Sequence, residues 1–244
     1  MAIKKYGSDA AYSYTLGMAL TVELIRLRPE AVIKIYIHPD YMAKDADQNI
    51  FKMCGRTQFA PDGLPWEVNR KIFNRLATKE NTFVIGLFEK YRAPVSDTVP
   101  HVVLVNPSDA GNLGAIIRTG VGFGFLDFVI IRPGVDIHDP RTIRASMGAF
   151  FHGRHMYFGS FEEYSAEFPK HKPFCFMLNG RLDLADITER PRGLFSMVFG
   201  NEAAGLPDGF LDYGESVRIQ HNHEIDSLNL AVAAGIAMYK FAGL

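Results

Sequence analysis

Apolar positions along this 244-residue chain follow two different rhythms, and the change between them falls near residue 95. In the front part, Leu16, Leu20, Leu24 and Leu27 recur at helical spacing and predict a helix over 13–28, and the run Val32 to Ile37 predicts a strand. His38 to Pro65 is loop-rich, with a short helix expected at Gln48 to Cys54; a helix follows at Val68 to Ala77 and a strand at Thr82 to Glu89. Tyr91 to Pro100 carries two prolines and no periodicity, and reads as a linker, so the expected domains are 1–95 and 96–244.

Beyond the linker short apolar strands alternate with helices. Strands are expected at Val102 to Val105, Phe128 to Arg132, Arg154 to Phe158, Pro173 to Leu178, Ser196 to Phe199 and Ser216 to Gln220. Helices are expected from Asn112 to Phe123 and from Pro140 to Phe150; Ser160 with Glu163 forms a capping box that opens another. Such alternation predicts an α/β fold with a parallel sheet covered on both faces. The last helix, Leu228 to Phe241, is polar only at Asn229 and Lys240. A helix apolar nearly all round must be buried on more than one side, against its own sheet and a second chain.

Composition narrows the class. At 48% hydrophobic and 22% charged the chain is an ordinary globular protein, with no apolar run of membrane-spanning length and no signal peptide at its start, so a cytoplasmic address is expected. Cys54 and Cys175 are too few for a disulfide framework and too isolated for a zinc site. The net charge of −1 hides an asymmetry: residues 1–95 carry 14 Lys and Arg against 10 Asp and Glu, while 96–244 carry 12 against 17. The basic excess at the front permits nucleic acid binding there.

Ligands on parallel sheets bind beyond the C-terminal ends of strands, so the loops after strands are where chemistry is sought. Three are rich in Gly, Asn and acidic residues: NPSDAGNLGAIIRT over 106–119, VFGNEAAGL over 198–206, and RIQHNHEIDSLNLAVAAGIAMY over 218–239. Asn112 is placed as an N-cap for its helix and Asp226 as one for the last helix, with Ser227 and Asn229 the side chains of its first turns able to bond a ligand. Taken singly, each loop is also ordinary turn and cap chemistry. Arg118, between Ile117 and Thr119 in an apolar helix, is an expensive place for an idle charge. Gly120, Gly122 and Gly124 lie at a helix end and lack the strand-to-helix setting of a dinucleotide fingerprint. The pairs His152/His155 and His221/His223 have no carboxylate or cysteine set at ligand spacing, so no metal is expected.

Together, in this order and spacing, the three stretches resemble the three motifs of the SpoU (TrmH-like) branch of the SPOUT RNA methyltransferases, and IRASMGAF over 143–150 resembles a further signature of that family. The resemblance covers about residues 100–242. It implies a C-terminal deep trefoil knot, an exception to the rule that chains are unknotted, together with S-adenosylmethionine held by the knot loops, a homodimer, and methyl transfer to a ribose 2′-hydroxyl of transfer or ribosomal RNA without metal. The front, with its helix, its VIKIYI strand and its late NRLATKENTFVIGLFE pair, looks like the L30e-type RNA-binding domain that often precedes this catalytic domain.

Carried over position by position, the resemblance implies cofactor binding by the backbone at Gly200, Ile219 and Leu228, and catalytic or positioning roles for Asn112, Arg118, Glu202, Ser227 and Asn229. It implies that Arg118 acts near the 2′-hydroxyl; because guanidinium resists deprotonation, positioning a phosphate and stabilising the developing alkoxide suits it better than a base role. This chain departs from the family where Pro-Met commonly follows Ile219, having Gln220-His221, and at Ala231, where a serine is usual. A non-catalytic RNA-binding or assembly factor on the same fold is the main alternative, and an α/β enzyme acting on a small nucleotide-like molecule is the other.

Overall fold

The computed structural model describes residues 3–42, 49–55, 63–77, 81–222 and 224–242. They pack into two compact units, residues 1–91 with 136–152, and residues 92–135 with 153–244.

The first unit is built on β1 (Tyr12–Tyr14), α1 (Met18–Leu27), β2 (Val32–Ile37), α2 (Pro39–Met42), α3 (Asn49–Met53), β3 (Trp66–Val68), α4 (Arg70–Leu76) and β4 (Val84–Glu89). Its sheet runs β1-β4-β2-β3, with β2 and β3 parallel and the other pairs antiparallel. Alternation along the strands splits the apolar residues between two cores. Ile35, Ile37 and Val84 pack with Ile25, Ile50 and Leu64, while Tyr36, Ile85 and Leu87 pack with Ile72, Phe73 and Leu76. The helix expected over 13–28 begins only at Met18, because residues 12–14 pair with β4 instead, Ser13 opposite Phe88, and Gly17 at φ 114 separates the two elements. Leu16 packs beside Tyr12 and Tyr14. The helix expected from Val68 starts at Arg70, capped by Asn69, whose side chain accepts from Lys71 N at 3.1 Å. Of the helix expected at 48–54, Asn49–Met53 is present, and Gln48 lies outside the described residues.

The second unit opens with β5 (His101–Val105), α5 (Ala110–Gly122) and β6 (Asp127–Ile131). Residues 136–152, with α6 (Pro140–Ala145), then pack in the first unit, so the chain changes unit three times where the linker reading has it change once. The tie is polar as well as apolar: Lys90 Nζ donates to Asp136 Oδ2 at 2.8 Å, Ser13 Oγ donates to the carbonyl of His138 at 2.5 Å, and the rings of Phe88 and Phe151 meet edge-on at 5.6 Å. The helix expected to run to Phe150 stops at Ala145, where Ser146 Oγ donates back to the carbonyl of Ile143 and Met147 and Gly148 turn left-handed.

The chain resumes the second unit with β7 (Arg154–Phe158), α7 (Phe161–Glu167), β8 (Lys172–Phe176), β9 (Leu182–Asp183), β10 (Phe195–Phe199), β11 (Glu215–Arg218) and α8 (Leu230–Ala242). Ser160 caps α7 as its sequence predicts, accepting from Glu163 N. The seven strands run β7-β6-β5-β10-β8-β11-β9, each neighbouring pair parallel. One face carries Val103, Val129, Cys175 and Val198 under Phe161, Tyr164 and Phe210. On the other, α5 packs against α8, and Phe241 meets Phe174 and Phe195 at 5.0 and 5.4 Å between ring centres. Strands apolar on both faces are what helices on both sides of a parallel sheet require. Among the described residues no helix is long and apolar enough to cross a membrane.

Candidate functional site

The loops that follow β5, β8, β10 and β11 meet at one end of the second unit's sheet. Those after β8, β10 and β11 enclose a cavity of about 290 Å³, at the small end of the range for small-molecule sites. Phe176, Phe199, Leu206 and Leu230 give it apolar walls; Gly200, Glu202, Ile219, Ser227 and Leu228 also line it. Five of the eight residues singled out in the sequence therefore share one cavity. Neither peptide group of Leu228 has a backbone partner among the described residues, which leaves both available to a ligand.

The loop after β10 is drawn tight. Asn201 and Gly205 exchange backbone hydrogen bonds of 3.1 and 2.9 Å, and Asn201 Oδ1 accepts from the amides of Ala203 and Ala204. A Cβ at Gly200 would stand 2.1 Å from the carbonyl carbon of Gly205, so only glycine permits this closure.

Glu202 is the hub of the polar side. Its carboxylate accepts from Ser108 N at 3.0 Å, Ser108 Oγ at 2.7 Å, Asp109 N at 3.0 Å and Asn112 Nδ2 at 3.3 Å. Burial alone would raise its pKa, but the donors of Ser108 and Asp109 outweigh that and hold it below the usual glutamate value. Asn229 Nδ2 in turn donates to Asn112 Oδ1 at 3.0 Å. Asn112 and Asn229 do not line the cavity, but through this chain of bonds they fix the loops that do.

Two helix starts differ from the sequence reading. Asn112 lies inside α5, and Asp109 is its N-cap, accepting from Asn112 N at 2.7 Å. Asp226 caps nothing: α8 begins at Leu230 and Asn229 Oδ1 accepts from Ala231 N and Val232 N at 2.9 and 3.3 Å. The cap moves because Ser227 and Leu228 are drawn into the cavity wall instead of the helix.

Arg118 is not brought to this cavity. It is exposed, outside the lining, and makes no hydrogen bond or ion pair among the described residues, so the burial cost expected of a charge in an apolar helix does not arise. It lies six positions on from Asn112, which puts it roughly 120° round the helix and about 9 Å further along.

Sequence reasoning assigned no role to Ser108, Asp109 or Asn201, although a Ser-Asp pair just before a helix is a cap signal that could have found the first two. His221, weighed in the sequence only as half of a metal pair and as a departure from the family, lines the cavity, as does Asn179. Among the described residues no group of His, Cys, Asp and Glu is placed to hold a metal; His223 lies outside them.

Residues 100–239, more than half of the chain, match the SpoU rRNA Methylase family. The chain belongs to that family. All three SpoU stretches fall within the match, with Glu202, Asn112 and Asn229, one from each, joined by hydrogen bonds. Over 145 residues, 58% of this chain and 53% of the relative, it is 34% identical to a 23S rRNA (adenosine(1067)-2′-O)-methyltransferase of Streptomyces laurentii. Over 153 residues, 60% of this chain and 59% of the relative, it is 32% identical to the 23S rRNA (guanosine(2553)-2′-O)-methyltransferase of Bacillus subtilis. It thus spans little more than half the length of these curated relatives. A crystal structure of an AdoMet-bound rRNA methyltransferase from Sinorhizobium meliloti superposes with a TM-score of 0.78 at 25% identity, covering 95% of this chain and 87% of that one, so the structural likeness takes in the first unit as well.

Proposed function

We propose that this SpoU-family protein transfers a methyl group from S-adenosylmethionine to a ribose 2′-hydroxyl of ribosomal or transfer RNA. The observation that carries the proposal is the Glu202–Asn112–Asn229 chain of hydrogen bonds set against the cavity of Gly200, Ile219 and Leu228.

The cavity's own chemistry fits the cofactor. Apolar Phe176, Phe199 and Leu206 suit a flat base, the open peptide groups of Leu228 suit its polar edge, and the carboxylate of Glu202 suits a cation. When bound, S-adenosylmethionine supplies an already activated methyl group, and alignment is then the main demand on the protein. Glu202 holds the Ser108–Asp109 turn while keeping its charge, and Asn229 fixes the start of α8 beside Ser227. Arg118 binds a target phosphate and stabilises the alkoxide as it develops; guanidinium holds its own proton, so the 2′ proton leaves to a phosphate oxygen or to water.

Arg118 stands apart from the cavity of its own chain, and a homodimer accounts for that. Val232, Ile236 and Tyr239 are 52%, 41% and 61% exposed and recur along one stripe of α8. A second copy seated on this stripe covers it and lets Arg118 of one copy serve the cavity of the other. A trefoil knot belongs to the same reading; it is supported by Gly180, where a Cβ would lie 2.5 Å from the carbonyl carbon of Val217, so that the end of one loop is pressed on the backbone of β11. The first unit is read as an L30e-type RNA-binding domain, with the basic excess of residues 1–95 in support.

The test is calorimetric titration of the protein with S-adenosylmethionine, followed by incubation with methyl-labelled cofactor and bulk RNA and digestion to nucleosides. Saturable heat and a labelled 2′-O-methylnucleoside are expected. Heat without label in any RNA would favour the non-catalytic reading, and absence of both would overturn the proposal.

A further inference from the structure

His221 is the one residue of the third SpoU stretch that departs from the family's usual chemistry and also faces the cavity. It also lines a neighbouring cavity of about 650 Å³, together with Arg218, Gln220 and Asp226. Its Nδ1 lies 3.0 Å from the carbonyl oxygen of Ile219. A carbonyl oxygen can only accept, so Nδ1 carries the hydrogen, and in that tautomer Nε2 is the nitrogen with a lone pair.

Of the other polar side chains of the cavity, Ser227 makes no hydrogen bond among the described residues, and the rest are largely committed. Asn201 is bonded at both ends, to the carbonyl of Asn106 and to the amides of Ala203 and Ala204. Glu202 is bonded to Ser108, Asp109 and Asn112, and Asn179 Nδ2 donates to Asp208. Nε2 of His221 makes no hydrogen bond among the described residues. The side chain is therefore tethered at one nitrogen and free to accept at the other.

We infer that His221 is a cofactor-positioning residue whose Nε2 accepts a hydrogen bond from a donor on the nucleoside half of S-adenosylmethionine. This rests on the proposed function. The placement favours the nucleoside half because His221 is anchored to Ile219, one of the backbone positions around the apolar part of the cavity, while the anionic Glu202 takes the side that suits the sulfonium. The methionine common at this position in the family offers no comparable acceptor.

Two substitutions separate this role from a merely structural one. His221→Asn keeps an N–H near Nδ1 that can tether Ile219 but has nothing at Nε2. His221→Gln places an amide oxygen near Nε2 and gives up the tether. Calorimetric titration of each protein with S-adenosylhomocysteine and with 5′-methylthioadenosine, which lacks the amino-acid half, reads the difference. The inference expects His221→Asn to weaken both ligands by the same roughly five- to tenfold factor, the worth of one hydrogen bond, and His221→Gln to stay within about twofold of wild type. The reverse ranking would show that His221 only shapes the loop. A loss confined to S-adenosylhomocysteine would move the contact to the amino-acid half, and no loss in either variant would remove it; all three outcomes overturn the inference and leave the function standing. Wild-type protein that binds neither ligand overturns the function and the inference together. Circular dichroism melting of each variant distinguishes lost binding from lost folding.

Discussion

Asn229 Nδ2 donates to Asn112 Oδ1 at 3.0 Å, joining the start of α8 to the first turn of α5 across 117 residues of sequence. The same Asn229 uses its oxygen to cap α8, and the same Asn112 uses its nitrogen toward Glu202, so neither amide has a spare end. Substitutions at Asn229 should separate the two tasks. Asn229→Ala loses both and is expected to cost about 1 kcal/mol of stability, which for a chain of this size is a fall of about 2–4 °C in Tm. Asn229→Asp keeps the cap oxygen but opposes a carboxylate to Asn112 Oδ1; Asn112 relieves this only by turning its amide and presenting oxygen to Glu202. Cofactor affinity should then drop about tenfold with Tm near wild type. A Tm loss without an affinity loss would make Asn229 a helix cap and nothing more.

Arg118 predicts the opposite separation. Because it is exposed and unpaired among the described residues, Arg118→Ala should change stability by less than about 0.5 kcal/mol. It should leave S-adenosylmethionine binding by its own chain intact and abolish methyl transfer to RNA. Arg118→Lys retains the charge without the planar fork, so activity close to wild type would show that bidentate phosphate binding is not needed.

These two residues show how far the sequence could be read. The motif order singled out both, though not that Arg118 stands outside the cavity, and the strand-helix alternation beyond residue 100 located the parallel sheet, because strands buried on both faces must be apolar at every position, as His101–Val105 and Phe195–Phe199 nearly are. Periodicity could not show which polar residue starts a helix. Asp109 and Asn112, or Asp226 and Asn229, are equally good caps in sequence, and the choice is made by tertiary bonds to Glu202 and by the pull of Ser227 and Leu228 into the cavity wall. Nor could it show that residues 136–152 pack with the front unit, since that rests on Asp136 meeting Lys90 and on His138 meeting Ser13, pairs with no local signature. Leucine spacing carried the first predicted helix through Leu16, where pairing with β4 wins.

Acid should weaken the second unit in two windows. His101 is fully buried, with Nδ1 2.9 Å from Tyr164 Oη, Nε2 2.7 Å from the carbonyl of Ser96, and its ring stacked on His171 at 4.1 Å. Burial, the main cause, pulls its pKa down from 6.5 to about 4. The unfolded chain takes up this proton near pH 6.5 and the folded chain only near 4, so its contribution is complete above 6.5 and declines as pH falls toward 4, by about 3 kcal/mol in all. Glu202, held below its ordinary value of 4.5, adds a further loss as pH falls below that value. Denaturant titrations from pH 7.5 to 4 should show the first slope, and His101→Gln, which keeps an N–H for the Ser96 carbonyl but cannot titrate here, should flatten it. An unchanged slope in that variant would place the titrating group elsewhere.

The exposed stripe of α8 gives the last prediction. Val232, Ile236 and Tyr239 project from a helix whose other side, Ala234, Ala237, Met238 and Phe241, is buried in the chain's own core, so a charge at 236 disturbs what covers the stripe and not the fold beneath. Wild-type protein should sediment at twice the 27.3 kDa chain mass, and Ile236→Glu at the mass of one chain with an unaltered far-ultraviolet dichroism spectrum. If Arg118 serves the cavity of the second copy, the monomer should also lose methyl transfer, and mixing two inactive proteins tests this directly. Arg118→Ala with Glu202→Ala places both lesions at one composite site of a heterodimer and leaves its other site intact, so activity should return toward half that of wild type per heterodimer. Failure to regain activity, with heterodimers present by sedimentation, would put Arg118 and Glu202 to work within one chain.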